Sequence, residues 1–360
     1  MELGFFTMPL HPPGSDYTKS LDDDLNQIVE LDRLGYKEAW IGEHFTSEWE
    51  NIPNPDLFIA QALPVTENIV LGTGVTCMPN HDPFMLAHRI AQLDHMAHGR
   101  FIWGVGAGAY VGDCVVWGYD PSTKENRRMI RDAIDLVLRI WEDPEPGLYE
   151  EWNWRFTIPE PMPDAGLRTH IKPYQKPHPP IAVGGVSPHS NTLAFAGEKG
   201  WIPMSINIVP TGVLKTHWEA VEKGAIGTGR TPDRSAWRIC KDIYVAETTK
   251  QARKEVLEGT LSRDFEQYFI PLLTSRNLQG ILKVDPDMPD SDIDAEYLMD
   301  NVWIVGSPDE VADQLRRLHH DVGGFGMLTA IGHEWEPRGK WINSMTLLAE
   351  EVMPKLSDLD

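Results

Sequence analysis

A histidine at the end of a strand is the first chemistry this chain offers. Gly42-Glu43-His44-Phe45 follows the short apolar run Glu38–Ile41, and an imidazole placed there can take or give a proton near neutral pH. Glu43 beside it can orient or charge the ring, so His44 and Glu43 are the candidate catalytic residues. The alternative is a histidine that only bonds a loop carbonyl. Three glycine-rich segments also end apolar runs. Gly72-Thr73-Gly74-Val75-Thr76-Cys77-Met78-Pro79 places glycine inside a strand pattern, which marks a bulge, a close-packed barrel or room for a planar ring on the backbone. Gly104-Val105-Gly106-Ala107-Gly108-Ala109-Tyr110 runs GxGxG rather than GxGxxG, and no acidic residue follows a second strand at the needed place. The dinucleotide fingerprint is therefore not met, and a small-residue rim of Gly106, Ala107 and Tyr110 bordering a ligand fits better. Gly184-Gly185-Val186-Ser187-Pro188-His189-Ser190 opens a helix. Free amides with hydroxyls beside them suit one phosphate, which makes Gly185, Ser187, His189 and Ser190 candidates. Ser187 or Ser190 as a plain helix cap explains the same residues.

Other residues argue against metal chemistry. His95 and His98 share a helix face without a third ligand nearby, and Cys77, Cys114 and Cys240 form no CxxC pair, so no metal site is expected. His319-His320 belongs on a solvated helix end. No phosphate loop of the Walker type is present. Carboxylates are not paired at strand ends beyond Glu43, which disfavours a two-carboxylate hydrolase.

The elements that must position these residues alternate regularly. Strands are expected at Leu3–Phe6, Glu38–Ile41, Ile69–Cys77, Phe101–Val105, Ile181–Val183, Trp201–Met204, Arg238–Val245 and Met327–Ile331. Between them run helices at Leu21–Leu34 (capped by Ser20), Pro55–Leu63, Pro83–Met96, Lys124–Glu142, Ser190–Lys199, Thr211–Gly224 and Lys340–Val352. The strands are apolar on both faces, as in a closed parallel (β/α)₈ TIM barrel; an open doubly wound sheet is the alternative. In such barrels the site lies where strands end, which is where the candidates fall. The proline-rich stretch 143–180 and the acidic stretch 273–297 break the rhythm as irregular insertions, and residues 1–360 read as one domain.

Composition narrows the partners. The chain has 360 residues, 41% hydrophobic, with 32 basic and 54 acidic side chains for a net charge of −22. Nucleic acid and anionic membrane are disfavoured, both being polyanions. No apolar stretch reaches the roughly 18–20 residues of a membrane span. Met1-Glu2-Leu3-Gly4 lacks a basic and then apolar run, and the scattered cysteines suit a reducing compartment, so a cytoplasmic location is expected.

Taken in order, several segments resemble the flavin-dependent luciferase-like monooxygenases. They are Gly35-Tyr36-Lys37-Glu38-Ala39-Trp40-Ile41-Gly42-Glu43-His44, Leu71–Val75, Gln92–Met96 through Gly99-Arg100-Phe101, Trp103–Gly106, Val305–Val311 and Val352-Met353-Pro354. Trp49–Pro55, Gly106–Tyr110 and Gly229–Ser235 are similar to the diketocamphane and limonene monooxygenase branch. The resemblance implies a bacterial-luciferase-type barrel and reduced FMN delivered by a separate flavin reductase. It also implies O₂, a C4a-peroxyflavin and a small apolar substrate, with Baeyer–Villiger oxidation of a cyclic ketone or terpenoid as the reaction. Aldehyde or terpene oxygenation, a deazaflavin-dependent oxidoreductase and a non-catalytic flavin-binding barrel are the alternatives. By the same resemblance, His44 is the catalytic histidine near the flavin's reactive edge. Gly74 and Val75 form a non-prolyl cis peptide under the ring, and Ser187–Ser190 hold the phosphate. Ala107 departs from the family: bacterial luciferase has a phosphate-binding arginine there, so other groups must serve. Leu273–Tyr297 falls where luciferase has its mobile loop, and a homodimer through Pro55–Leu63 and Pro83–Met96 is implied.

Overall fold

The structure, a computed structural model, describes residues 1–359. Eight parallel strands form its centre: β1 (Glu2–Thr7), β2 (Glu38–Ile41), β3 (Val70–Thr73), β4 (Phe101–Gly106), β5 (Ile181–Gly185), β6 (Ile202–Ser205), β7 (Arg238–Lys241) and β8 (Met327–Gly332). The ladder runs β3-β2-β1-β8-β7-β6-β5-β4, and pairing of β3 with β4 closes it into a barrel. The open-sheet alternative is thereby excluded.

The strands are apolar throughout because the barrel must be filled and its outside covered. Phe6, Trp40, Ile102, Ala182, Met204, Cys240 and Ile331, from seven strands, pack as one buried cluster separate from the larger outer core. The eighth strand, β3, contributes Gly72, where an added Cβ would lie 2.6 Å from the Trp40 ring. Below this cluster Trp40 Nε1 donates to Glu38 Oε2 at 3.1 Å, and Arg238 Nη2 donates to Glu38 Oε1 at 2.6 Å. The buried carboxylate is thus satisfied by a charge and an indole.

Around the barrel lie α1 (Tyr17–Arg33), α2 (Pro55–Ala62), α3 (Pro83–Ala97), α4 (Val111–Val116), α5 (Asn126–Glu142), α6 (Asn191–Lys199) and α7 (Thr211–Gly227). They continue with α8 (Thr249–Leu257), α9 (Thr260–Asp264), α10 (Ile270–Thr274), α11 (Ala295–Asn301), α12 (Pro308–Val322) and α13 (Arg338–Leu347). On α5, Met129, Ile130, Ala133, Ile134, Val137, Ile140 and Trp141 are buried. Their three- and four-residue spacing makes one apolar stripe, each of the large aliphatic side chains contributing about 1.5–3 kcal/mol on burial. Helix α1 starts earlier than its apolar period suggests. Asp16, whose side chain accepts from Lys19 N, is the cap, while Ser20 lies buried inside the helix.

Other expectations also change. The third strand is interrupted by a cis peptide at Gly74-Val75 and resumes at Thr76–Cys77, which pairs with Val105 and Gly106. The seventh breaks at Asp242, and Ile243–Val245 leaves the barrel to pair with Ile304–Gly306. Stretch 143–180 carries an antiparallel hairpin, Gly147–Glu151 with Trp154–Ile158, which prolines around it masked. Stretch 273–297 is wound into short 3₁₀ turns at Gln279–Leu282 and Asp290–Asp292 before α11, with the Val284 N–H donating to Tyr297 Oη at 2.8 Å.

Gly104 offers a direct test of the barrel's tightness. Its added Cβ would lie 1.9 Å from the Thr73 carbonyl oxygen, which is backbone and cannot swing away. Gly104→Ala should destabilise the fold by about 1–3 kcal/mol or more, read as a lower denaturation midpoint. An unchanged midpoint would disprove the contact.

Candidate active site

His44 lies in the loop after β2 with its ring held between two carboxylates. Nδ1 is 3.2 Å from Asp113 Oδ2 on α4, and Nε2 is 3.2 Å from Glu50 Oε2. A neutral imidazole would set a lone pair beside one of these negative oxygens, so the arrangement favours both nitrogens protonated. Burial, the largest influence, disfavours charge on the ring. Glu50 and Asp113 outweigh it and push the His44 pKa up to about 10. Asp113 is fixed in turn: its Oδ1 accepts from Phe45 N at 3.1 Å, Thr46 N at 2.9 Å and Thr46 Oγ1 at 2.6 Å. Burial raises the Asp113 pKa, but His44 and Thr46 overcome it and leave it below the usual carboxylate range. The two carboxylates are 3% exposed while the His44 side chain is 21% exposed. Solvent or a ligand can therefore reach the ring but not its clamp.

The contact at Glu50 differs from that at Asp113. Oε2 of Glu50 takes no directed hydrogen bond, so its 3.2 Å approach to Nε2 is an ion-pair contact. Nε2–H is thus the ring proton without a directed acceptor. Tyr110 covers the ring, its centroid 4.6 Å from that of His44.

Glu43 does not orient His44. Its carboxylate accepts from Cys77 N at 3.2 Å and lies 2.9 Å from His81 Nε2. His81 Nδ1 must accept from the Arg89 guanidinium at 3.2 Å, which leaves its proton on Nε2 for Glu43. Glu43 is therefore buried beneath the β3 extension as a structural anchor. The sequence missed Asp113 and Glu50, because neither is near His44 in any periodic pattern.

The glycine segments meet around Val75. A Cβ on Gly106 would lie 2.2 Å from Val75 Cγ2, and one on Gly184 would lie 3.3 Å from Val75 Cγ1. The ends of β4 and β5 must thus stay bare for the side chain that the Gly74-Val75 cis bond presents. Gly74 itself abuts Phe6 and Trp40, which leave 2.8 Å and 3.1 Å for a Cβ. Ala107 is half-buried against the core.

After β5, Ser190 is the N-cap of α6. Its Oγ accepts from Leu193 N at 3.4 Å and lies 2.9 Å from Thr192 Oγ1. Gly185 is bare to admit that cap, with 2.6 Å between its added Cβ and Ser190 Oγ. Ser187 and His189 are exposed, and His189 has a positive φ of 49°. A groove of about 760 Å³ between α5, α6 and α7 is lined by His189, Asn191, Thr192 and also Arg127 and Arg131. Arg131 is paired with Glu198 at 2.7 Å, whereas Arg127 is a basic residue the motifs did not reveal.

A second polar cluster occupies the other half of the same rim. His333, directly after β8, lies 2.9 Å from Asp264 Oδ2 through Nδ1 and 3.1 Å from Asp242 Oδ1 through Nε2. Arg263 joins Asp264 and Glu334, each at 2.6 Å, and His11 lies 3.1 Å from Asp24. Among the described residues, no cluster of His, Cys, Asp and Glu is arranged to hold a metal.

Comparison with known proteins finds relatives along nearly the whole chain. The family model for luciferase-like monooxygenases matches residues 1–324. 3,6-Diketocamphane 1,6-monooxygenase of Pseudomonas putida is 33% identical over 373 residues, spanning 99% of this chain and 98% of the relative. Limonene 1,2-monooxygenase of Rhodococcus erythropolis is 33% identical over 98% of this chain and 86% of its own length. Among solved structures, the oxygenating constituent of the Pseudomonas putida 3,6-diketocamphane monooxygenase, a type II Baeyer–Villiger monooxygenase in complex with FMN, superposes with a TM-score of 0.90. It is 34% identical, covering 99% of this chain and 98% of that one.

The clamp predicts a charged ring. Its pKa of about 10 exceeds the ordinary 6.5, so the stability it contributes is fully present below about pH 6.5 and lost as pH rises through 10. Histidine ¹⁵N NMR should show His44 as imidazolium at pH 8, and Asp113→Asn should lower its midpoint by roughly 1–3 units. A wild-type midpoint near 6.5 would disprove the clamp.

Proposed function

The chain belongs to the luciferase-like monooxygenase family, and from that premise we propose a Baeyer–Villiger reaction on a small, cyclic, apolar ketone or terpenoid. The chain is an FMN-dependent monooxygenase. The observation that carries the finer reading is the His44 imidazolium, a proton donor on the same rim of strand ends as Val75 and the glycines that admit it.

The residues present fit FMN. Gly106 and Gly184 admit the Val75 side chain close against the strand ends, and a low floor of small residues around Val75 suits a flat ring. The first amides of α6, with Thr192 nearby, suit the phosphate. Arg127, lining the same groove as Asn191 and Thr192, replaces the charge that Ala107 cannot supply. Ser190 then serves as the cap that fixes those amides, and Ser187 and His189 border the site from the exposed side.

The chemistry supplied by bound reduced FMN is the reductive activation of O₂. The protein's part is position, charge and dryness. His44 holds a proton at Nε2 and lends it to the oxygen that becomes negative as the carbonyl is attacked. Asp113 and Glu50 keep the ring charged, so it gives a hydrogen bond and does not remove a proton. Tyr110 covers His44, and Trp49 stacks on Tyr268 with centroids 5.5 Å apart, together walling the site with apolar surface. A separate flavin reductase supplies the reduced cofactor. We also propose a homodimer through α2 and α3, where Leu57, Met85 and Met96 are exposed.

Three outcomes follow. With reduced FMN, ¹⁸O₂ and a panel of cyclic ketones, terpenes and aldehydes, mass spectrometry should find a lactone carrying one ¹⁸O. Epoxide or acid as the sole product would replace the Baeyer–Villiger reading. His44→Ala should cut product formation roughly 10²–10⁴-fold without altering FMN affinity; undiminished turnover would remove His44 from the mechanism. For the dimer, Leu57→Glu with Met85→Glu should give a folded monomer by light scattering, and a persistent dimer would place the interface elsewhere.

A further inference from the structure

Glu50 has a weakness that its surroundings must correct. It lies in an irregular loop, and its contact with His44 is an ion pair without a directed hydrogen bond. The loop backbone is pinned: Ser47 Oγ accepts from Trp49 N at 3.3 Å and Glu50 N at 3.1 Å. The Glu50 side chain is held from a different part of the chain. Tyr268 Oη donates to Glu50 Oε1 at 2.6 Å and lies 3.2 Å from Ser47 Oγ.

Tyr268 belongs to a π-helical turn, Phe265–Phe269, that joins α9 to α10. This helical segment is fastened to the barrel one turn earlier. Asp264 meets the His333 ring at 2.9 Å and the Arg263 guanidinium at 2.6 Å. His333 is in turn held by Asp242 at the end of β7, and Asp242 accepts from Asn207 Nδ2 at 3.3 Å beyond the end of β6. Asp264 and Tyr268 are four residues apart, so one rigid piece of helix has an anchor and a working hydroxyl on adjacent turns. The π turn widens the spiral between them.

We propose that Tyr268 is a positioning residue for His44: the anchored helix holds its hydroxyl on Glu50, and Glu50 is thereby kept against the imidazole. The chain of contacts from Asp242 through His333 and Asp264 to Tyr268 links one side of the barrel rim to the proton donor on the other. The inference rests on the reading that His44 works in oxygenation, but the coupling is a property of the protein alone. The charged or titratable groups facing His44 are Asp113 from α4, Glu50 from the loop and Tyr110 against the ring, with Tyr268 behind Glu50. Without the hydroxyl, a buried carboxylate loses a donor and moves toward water. His44 then loses a counter-charge.

The test is Tyr268→Phe, which keeps the ring stacked on Trp49 and removes only the hydroxyl. In the protein without flavin or substrate, ¹⁵N NMR should show the His44 midpoint falling by roughly one unit or more. Glu50→Gln should lower it too, and Tyr268→Phe added to Glu50→Gln should cause no further fall. In turnover, kcat should drop roughly tenfold while KM and FMN affinity stay within about twofold. An unchanged midpoint in Tyr268→Phe, or an undiminished effect in the Glu50→Gln background, would overturn the proposal. Should Tyr268→Phe not fold, 3-fluorotyrosine at 268 keeps ring and hydroxyl while strengthening the donor. His44 must then shift, and a stationary signal overturns the coupling. Because the NMR arm needs no reaction, a protein that shows the coupling but oxygenates nothing would sink the functional reading alone.

Discussion

An imidazolium between two buried carboxylates survives only if the segments carrying those charges cannot separate. Removing one partner from such a cluster costs on the order of 3–5 kcal/mol, because a charge is left buried and unpaired. Here the partners come from three places: the loop after β2, helix α4 after β4, and Tyr268 supporting from the far helix. Local sequence does not hold these together. Closure of the ladder between β3 and β4 does, because it puts the rims of β2 and β4 on either side of one short strand. The barrel is the structural condition for the charged histidine.

The same closure explains why glycine gathers at β3, β4 and β5. Filling the interior with Trp40 takes the space a side chain at Gly72 would need, and Gly104 lies against the Thr73 carbonyl. Higher on the rim, Val75 occupies what Cβ atoms on Gly106 and Gly184 would fill. Two requirements thus produce similar glycine patterns, one for filling the barrel interior and one for admitting Val75 at its rim. Spacing in the sequence does not separate them, and only the height of each glycine along its strand does.

This bears on what could be read from the chain before folding. All eight barrel strands are legible, since doubly buried strands give unbroken apolar runs. Also legible are the helices with strong apolar stripes, and His44, Gly74 and Val75 at strand ends. The hairpin at 147–158 is not, because its faces are mostly exposed and prolines surround it. The helix 260–274 is likewise hidden, being broken by a π turn and a proline at 271 that blur its period. Glu43 shows the sharper lesson. Adjacency in sequence suggested partnership with His44, yet successive residues of extended chain point to opposite sides. The true partners, Asp113 and Glu50, are separated from His44 by chain that only the fold brings back.

Among the histidines on this rim that are held by a pair of carboxylates, His44 and His333 should not be assigned the same work. Burial, the leading influence, opposes charge on His333, but Asp242 and Asp264 push its pKa up to about 9, as Glu50 and Asp113 push that of His44 up to about 10. Charge state therefore does not distinguish them. Accessibility and bond geometry do. His333 is 1% exposed and both its nitrogens make directed hydrogen bonds, at 2.9 and 3.1 Å. It has no proton to lend without breaking its own cluster. His44 is 21% exposed and makes a directed bond only through Nδ1. The imperfect contact at Glu50 leaves Nε2–H without a directed acceptor, so the weaker clamp belongs to the more accessible ring and the stronger one to the ring that anchors.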